Sequence, residues 1–345
     1  MRTALQGPAG MARPLKPMAD SGASGPGLHR FAVFVAAATL CLIVAGGLVT
    51  STESGLSVPD WPTTYGHNMF TFPLSKMVGG IRFEHTHRLI ASTVGMLTIV
   101  LAIWLARRER RRWVRRLGYA AVATIVAQGI LGGITVLFLL PTAVSVAHAC
   151  LAQTFFCLTV AIAVATSKRF RERAPVSLAA AFRQTRTARW TAAAAAAVFV
   201  QLILGAVMRH TKAGLAIPDF PLALGRLVPP LVSFPVAIHF AHRVWALVVA
   251  GLIAASTVAA FRSGRRGLKK AAVFLCLLVV AQIALGAATV LSAKDVLVTT
   301  AHVATGALLL GSTLALSLSA LAAERRHNNV VPIRPSLAGR VAGWK

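Results

Sequence analysis

The sequence predicts an all-α polytopic membrane protein whose eight transmembrane helices form two tandem four-helix bundles, with both termini in the cytoplasm. Three observations predict it: an apolar composition, eight apolar stretches of spanning length and an internal repeat. Of the 345 residues, 56% are hydrophobic and only 13% are charged, whereas a soluble domain is about half apolar and about a quarter charged. This composition excludes an ordinary cytosolic enzyme, and a chain this apolar does not stay solvated as a disordered one.

Eight stretches are long enough to cross a bilayer, because a spanning helix needs about 20 predominantly apolar residues. None of them shows the strict alternation of a barrel strand, so all eight are predicted to be helices. The predicted spans are residues 31–52, 85–106, 117–138, 143–167, 190–210, 236–261, 270–291 and 296–322.

The distribution of Lys and Arg predicts the orientation of these spans. The chain carries 36 Lys and Arg against 9 Asp and Glu, and most of the basic residues lie in the tails and in loops 107–116, 168–189 and 262–270. Basic loops stay on the cytoplasmic side, so we expect a cell inner (plasma) membrane protein with cytoplasmic N and C termini. A net charge of +27 can indicate a nucleic-acid-binding protein. Here the basic residues lie in short clusters between apolar stretches, which indicates a protein of the lipid bilayer and no nucleic-acid partner.

The two halves of the chain repeat each other. Residues 55–62 (GLSVPDWP) reappear as 214–221 (GLAIPDFP), and residues 128–136 (QGILGGITV) reappear as 282–290 (QIALGAATV). Four crossings return the chain to its starting side, so the halves are predicted to share one orientation, related by an axis along the membrane normal.

The repeat divides the chain into five predicted segments. Each four-helix half is flanked by basic or polar sequence that we assign to the cytoplasm. The segments are a disordered tail (1–30), an N-terminal half (31–167), a basic linker (168–189), a C-terminal half (190–322) and a second tail (323–345).

Four of the ten histidines occupy equivalent positions in the two halves. His87 pairs with His242, and His148 pairs with His302, all within one or two turns of the same helix ends at about 1.5 Å per residue. Ionisable side chains in a span are costly, which favours a function over packing. Facing imidazoles in a helical bundle suit axial ligation of haem, whereas zinc needs three or four ligands. The spacing therefore favours haem.

The neighbours of these histidines predict two further roles. Arg88 and Arg243 follow the first pair and either hold haem propionates by charge-assisted hydrogen bonds or snorkel to the interface. Glu84 lies one turn before His87 on the same helix face, where the second half has His239. Glu84 is either a base at the haem edge or a helix N-terminal residue stabilised by the dipole, and the asymmetry favours the base.

The ordered set of motifs resembles the haem A synthase family of membrane haem-modifying enzymes. The resemblance covers residues 31–322 and comprises motifs that are individually weak but specific as an ordered series. It rests on 52–57 (TESGLS), 60–62 (DWP), Glu84, His87, Arg88, His148, 214–221, His242, Arg243 and His302.

This resemblance implies oxidation of the C8 methyl of haem O to a formyl group, giving haem A for terminal oxidases. The N-terminal half would hold the substrate haem O through His87 and His148. The C-terminal half would hold a haem B cofactor through His242 and His302. Glu84 matches the catalytic carboxylate of the family. Because haem O is poorly soluble, we expect haem O synthase (protohaem farnesyltransferase) as a partner, beside an electron donor that the sequence does not identify.

Two rival functions remain open from the residues alone. A di-haem membrane electron-transfer cytochrome without haem-modifying activity fits the composition and the histidine spacing equally well. Glu84, without a counterpart in the second half, and the family resemblance favour the enzyme. A transporter built on parallel repeats would place its polar site near the bilayer midplane, whereas the histidines lie near the helix ends.

The sequence departs from the family at its long loops. The first outward loop (53–83) and the second outward loop (211–235) contain no cysteine, although many bacterial members carry a pair in the first. This departure argues against a thiol-based electron or regulatory step in these loops and leaves the histidine framework intact. The sequence also leaves the roles of His85, His210 and His239 open.

Overall fold

A computed structural model describes residues 25–173 and 177–323 as an all-helical chain. Eight helices in this part of the chain are long and apolar enough to cross a membrane, which confirms the eight predicted spans. They are α1 (Pro26–Ser51), α2 (Gly80–Arg108), α3 (Arg112–Leu137), α4 (Thr142–Thr166), α7 (Arg186–His210), α8 (Phe234–Arg262), α9 (Arg266–Leu291) and α10 (Val296–Ala323).

Several helices begin a few residues before the apolar stretch that predicted them. The helix α3 begins at Arg112, five residues before the predicted start. Arginine is a good helix former, so the helix extends beyond the apolar run into the basic residues that precede it. The predicted tails 1–30 and 323–345 lie outside the described residues, except that α1 begins at Pro26 and Ala323 ends α10.

The predicted linker 168–189 contains two short helices, α5 (Lys168–Arg173) and α6 (Leu178–Gln184). The hydroxyl of Ser177 caps α6 by accepting a hydrogen bond from the Ala180 N–H at 3.2 Å. The α5 residue Phe170 is buried and meets the ring of Trp113 edge-on. The linker therefore packs against the ends of the long helices.

The long helices pack in the same pattern in each half. In the N-terminal half α1 and α3 each contact α2 and α4, and in the C-terminal half α7 and α9 each contact α8 and α10. Separate clusters of buried side chains fill the two halves, with Leu101 and Phe155 in the first and Ile253 and Leu275 in the second. This packing is what two four-helix bundles require.

The halves meet along four helices. The helix α10 contacts α1 and α4, and α4 also contacts α7. A small apolar cluster of Ile43, Phe156 and Ala307 lies in this contact. A Cβ at Gly311 would come 2.7 Å from the Phe156 ring, so the close approach of α4 and α10 requires glycine there. The two halves are therefore in direct contact.

The first outward loop joins α1 to α2 and is organised by the carboxylate of Asp60. That carboxylate accepts hydrogen bonds from the Thr63 hydroxyl at 2.5 Å and from the backbone N–H groups of Tyr65 at 2.7 Å and Gly66 at 2.8 Å. Gly66 has a φ of +73°, a left-handed conformation that glycine adopts without strain. Aspartate and glycine thus build the turn after the Pro-Asp-Trp-Pro motif.

The second outward loop, between α7 and α8, repeats this turn. Asp219 accepts hydrogen bonds from the N–H groups of Leu224 at 2.7 Å and Gly225 at 2.8 Å, and Gly225 has a φ of +72°. Each loop has one cis peptide bond, at Trp61–Pro62 and Phe220–Pro221. The sequence repeat is therefore also a structural repeat. We call the helix ends that carry these loops the outward end.

Both turn carboxylates have lowered pKa values. Partial burial acts to raise the pKa of Asp60, but the hydrogen bonds that its carboxylate accepts outweigh burial and hold the pKa below its ordinary value. Hydrogen bonds from Gly225 and Leu224 hold the pKa of Asp219 below its ordinary value as well. The carboxylates therefore stabilise the turns at neutral pH and lose this effect as the pH falls through the lowered pKa.

We predict that Asp60→Ala speeds deuterium exchange at the amides of Tyr65 and Gly66 several-fold, because their acceptor is lost. Exchange would be measured by mass spectrometry and corrected for intrinsic rates. The exchange rates of amides in the second outward loop should be unchanged. Asp219→Ala is the matched control and should affect only the amides of Leu224 and Gly225. Equal exchange in wild type and Asp60→Ala would show that the carboxylate does not hold the turn.

Candidate functional site

The structure brings the four repeat-equivalent histidines together as two pairs near the outward end. His87 on α2 lies close enough to His148 on α4 for the two side chains to interact electrostatically. His242 on α8 and His302 on α10 face each other with ring centroids 6.5 Å apart and planes inclined by 63°. Each half thus contributes one pair from its second and fourth long helices.

Each of these four imidazoles has a buried Nδ1 atom without a hydrogen-bond partner, and no other histidine in residues 25–173 and 177–323 has one. A buried unpaired polar atom costs about 1–3 kcal/mol. Four such unpaired atoms at equivalent positions indicate side chains that bind a group from outside the polypeptide.

The spacing of the C-terminal pair fits a single metal ion between the rings. An imidazole nitrogen binds a transition metal at about 2 Å, and its ring centre lies about 1 Å further away. Two imidazoles on one ion would therefore have centroids about 6 Å apart, close to the 6.5 Å between His242 and His302. Haem iron is commonly bound by axial histidines. The residues present thus fit a haem with two histidine ligands.

A glycine on the preceding long helix faces each of the four rings. A Cβ placed on any of these glycines would lie 3.1–3.3 Å from the Cε1 atom of its histidine, which is tighter than ordinary van der Waals contact. These glycines were not predicted from the sequence, although they occupy equivalent places in the repeat. The pairs are Gly46–His87, Gly132–His148, Gly205–His242 and Gly286–His302.

Glu84 and Arg88 hold the first outward loop against α2. One Glu84 oxygen accepts from the Arg88 guanidinium at 2.6 Å, and the other accepts from the Val58 N–H at 2.9 Å. Arg88 also donates to the carbonyl oxygens of Val58 at 3.0 Å, Asp60 at 2.7 Å and Thr63 at 3.0 Å. Both charged side chains are buried. We call this arrangement the loop clamp.

The second half repeats the loop clamp with one substitution. Arg243 donates to the carbonyl oxygens of Ile217 and Leu222, both at 2.9 Å. His239, in the place of Glu84, accepts from the Ile217 N–H at 3.3 Å through its Nδ1. In this structure the guanidinium groups of Arg88 and Arg243 therefore bond to loop carbonyls, and their contact with propionates stays a prediction.

Two of the remaining histidines near the site, His85 and His239, have side-chain hydrogen-bond partners in the chain. His85 is buried, with its Nδ1 3.1 Å from the Thr64 hydroxyl and its ring against Phe72 at 5.0 Å between centroids. The backbone carbonyl of His210, at the end of α7, lies 3.5 Å from the Thr142 hydroxyl. His85 and His239 thus support the outward loops.

The first outward loop also packs against α3. The ring of Trp61 packs on Gly133 of α3, where a Cβ would come 2.6 Å from the indole. Gly133 directly follows Gly132, the glycine that faces His148. The loop therefore packs an aromatic ring on α3 one residue from the glycine that faces His148, and any side chain larger than glycine at residue 133 would displace the ring.

Comparison with known proteins finds one matching family and several curated relatives. The family model of COX15-CtaA, cytochrome oxidase assembly protein, matches residues 29–314. A protein of Halalkalibacterium halodurans named heme A synthase is 29% identical over 286 residues, covering 80% of this chain and 92% of its own. Proteins of the same name from Shouchella clausii and Sphingopyxis alaskensis are 31% and 29% identical over 77% and 87% of this chain, and over 87% and 94% of their own lengths.

We predict that Gly205→Ala or Gly286→Ala weakens haem binding at the C-terminal pair, because the added methyl displaces the facing imidazole. Overpacking of this kind costs about 1–3 kcal/mol. The absorption and electron paramagnetic resonance spectra of the purified protein should therefore change. Gly251→Ala, on α8 with open space where a Cβ would lie, is the matched control. Wild-type spectra in Gly205→Ala and Gly286→Ala, as in the control, would contradict a positioning role for Gly205 and Gly286.

Proposed function

The chain belongs to the COX15-CtaA family of cytochrome oxidase assembly proteins, and we propose which haem each of its two histidine pairs holds during haem A formation. The chain is a membrane-embedded enzyme of haem A biosynthesis, with relatives named heme A synthase along most of its length. The observation that carries the proposal is the set of four buried Nδ1 atoms without partners, two in each half.

We assign a different haem to each pair. His87 and His148 hold the substrate haem O, and His242 and His302 hold haem B as axial ligands. Bound haem B supplies one-electron redox chemistry. The 6.5 Å spacing of the second pair supports the ligand assignment. The substrate assignment of the first pair is supported by the carboxylate beside it, which the second half lacks.

Glu84 is the acidic residue that we place in the reaction, which oxidises a ring methyl of haem O to a formyl group. Within the described residues it is the only Asp or Glu in the eight long helices. It lies on the same helix face as His87 and forms an ion pair with Arg88 at 2.6 Å. We propose that Glu84 moves a proton at the substrate edge, in addition to its part in the loop clamp.

The surroundings of the site complete the proposal. The first outward loop, through Trp61, limits access of water to the substrate pair. A plasma membrane location with both termini in the cytoplasm is supported by the basic residues of the α2–α3 and α8–α9 connections. Haem O synthase is the partner that we expect to supply the poorly soluble substrate, and the electron donor is a further partner.

We predict that His242→Ala and His302→Ala each remove haem B from the purified full-length protein, because one axial ligand is lost. The haem content per protein, measured as the pyridine haemochrome, should fall accordingly. His87→Ala and His148→Ala should keep haem B and lose haem O. Retention of haem B in both His242→Ala and His302→Ala would refute the ligand assignment.

We predict that Glu84→Gln lowers haem A formation about a hundredfold or more, because general acid–base groups contribute at least this factor. Glutamine keeps an oxygen for the Val58 N–H, so the haem B spectrum should remain. Haem A would be quantified by mass spectrometry of membrane extracts. Glu172→Gln, which changes an exposed carboxylate on α5, is the control. Normal haem A formation by Glu84→Gln would show that Glu84 acts only in the loop clamp and not in the reaction.

A further inference from the structure

Arg209 is a half-buried guanidinium at the boundary between the two halves. It is the next-to-last residue of α7. Its Nη2 donates to the carbonyl oxygen of Gly47 at 3.3 Å and to the hydroxyl of Ser51 at 2.8 Å, both on α1. The same Ser51 oxygen accepts from the Thr300 hydroxyl of α10 at 3.2 Å. Arg209 therefore reaches from the C-terminal half to the outward end of the first helix.

This guanidinium has no counter-ion among the described residues. The ion pairs of residues 25–173 and 177–323 do not include Arg209, and no acceptor in the same ranges takes a hydrogen bond from its Nε or Nη1. A basic side chain in a span is costly without a partner. A planar guanidinium forms charge-assisted hydrogen bonds with carboxylates, and the Nε and Nη1 donors of Arg209 are still available for them. The unused donors therefore point to an anion from outside the chain.

Arg88 and Arg243, whose guanidinium groups also form hydrogen bonds at the outward end, are in a different situation. Arg88 is paired with Glu84 and bonds to three loop carbonyls. Arg243 gives one hydrogen bond from each terminal nitrogen to a loop carbonyl. Arg209 has both of its bonds on a single nitrogen. The Nε donor and both Nη1 donors of Arg209 are therefore left for a ligand.

The neighbours of Arg209 identify the anion. Ser51 accepts hydrogen bonds from both Arg209 and Thr300, and Thr300 lies two residues before His302 on α10, so Arg209 lies near the C-terminal pair. Haem carries two carboxylate groups, and these belong at the membrane interface because charge is costly in the bilayer core. Arg209 lies at that interface, since α7 ends one residue later at His210.

We propose that Arg209 binds a carboxylate of the haem held by His242 and His302. The inference rests on the proposed function, because it requires haem at this pair. The contact also links this haem to the first half, since Arg209 bonds to Ser51 of α1. A fixed positive charge beside a haem favours the reduced, less positive iron, so Arg209 raises the reduction potential of this haem.

The test compares Arg209→Gln with Ser51→Ala in the full-length, haem-loaded protein. Arg209→Gln removes the charge, whereas Ser51→Ala removes the hydrogen bonds from Arg209 at 2.8 Å and Thr300 at 3.2 Å and leaves the charge in place. Arg209→Gln should lose haem B to excess apomyoglobin about ten- to a hundredfold faster, as expected for the loss of a charge-assisted hydrogen bond. Its haem should also have a lower reduction potential in a redox titration. Ser51→Ala should keep both wild-type values.

Several results would overturn the proposal. One such result is a wild-type rate of haem loss and a wild-type reduction potential in Arg209→Gln. Another is a change of the same size in Ser51→Ala, which would show that Arg209 acts only in helix packing. If Arg209→Gln does not accumulate in the membrane, Arg209→Lys keeps the charge without the planar fork and should lose haem faster with a smaller change in potential. Failure of the proposed function would differ, because wild type itself would then retain no haem B or would leave haem O unmodified.

Discussion

The constraint on which this structure depends is the cost of a buried imidazole nitrogen without a partner. In a helix that crosses a membrane, backbone groups bond to one another, and water is not at hand to satisfy a side chain. Four Nδ1 atoms nevertheless lie buried and unpaired, one on each of α2, α4, α8 and α10. A glycine opposite each ring lets the neighbouring helix come close enough to fix the imidazole. The helices, the glycines and the pairing of the halves therefore all serve to hold these rings in place.

The loop clamps show how a duplicated scaffold carries two different sites. In both halves an arginine bonds to loop carbonyls and a neighbouring residue accepts the N–H of the loop. Only the identity of that acceptor differs, because Glu84 in the first half is replaced by His239 in the second. A carboxylate brings a charge and a proton acceptor without changing the position of the loop. The asymmetry is therefore a local chemical difference within a common structure.

The sequence predicted the spans and the histidine pairs because both depend on signals along the chain. The length of an apolar run determines a span, and the repeat places His87 with His148 and His242 with His302. The roles of Gly205 and Arg209 could not be predicted in this way. Their contacts depend on the rotation of one helix against another, which periodicity does not define. Repeat alignment could have indicated the glycines, since Gly46 matches Gly205, but Arg209 has Thr50 in its place and no signal pointed to it.

The account places one haem at each histidine pair and chemistry at the first. Mass spectrometry of the haems extracted from the purified wild-type protein, produced together with haem O synthase and with electron delivery confirmed, tests this most directly. The account predicts haem B together with haem A or its hydroxymethyl precursor. Haem B with unmodified haem O alone, from folded and haem-loaded protein, would contradict it and would indicate a di-haem electron-transfer cytochrome.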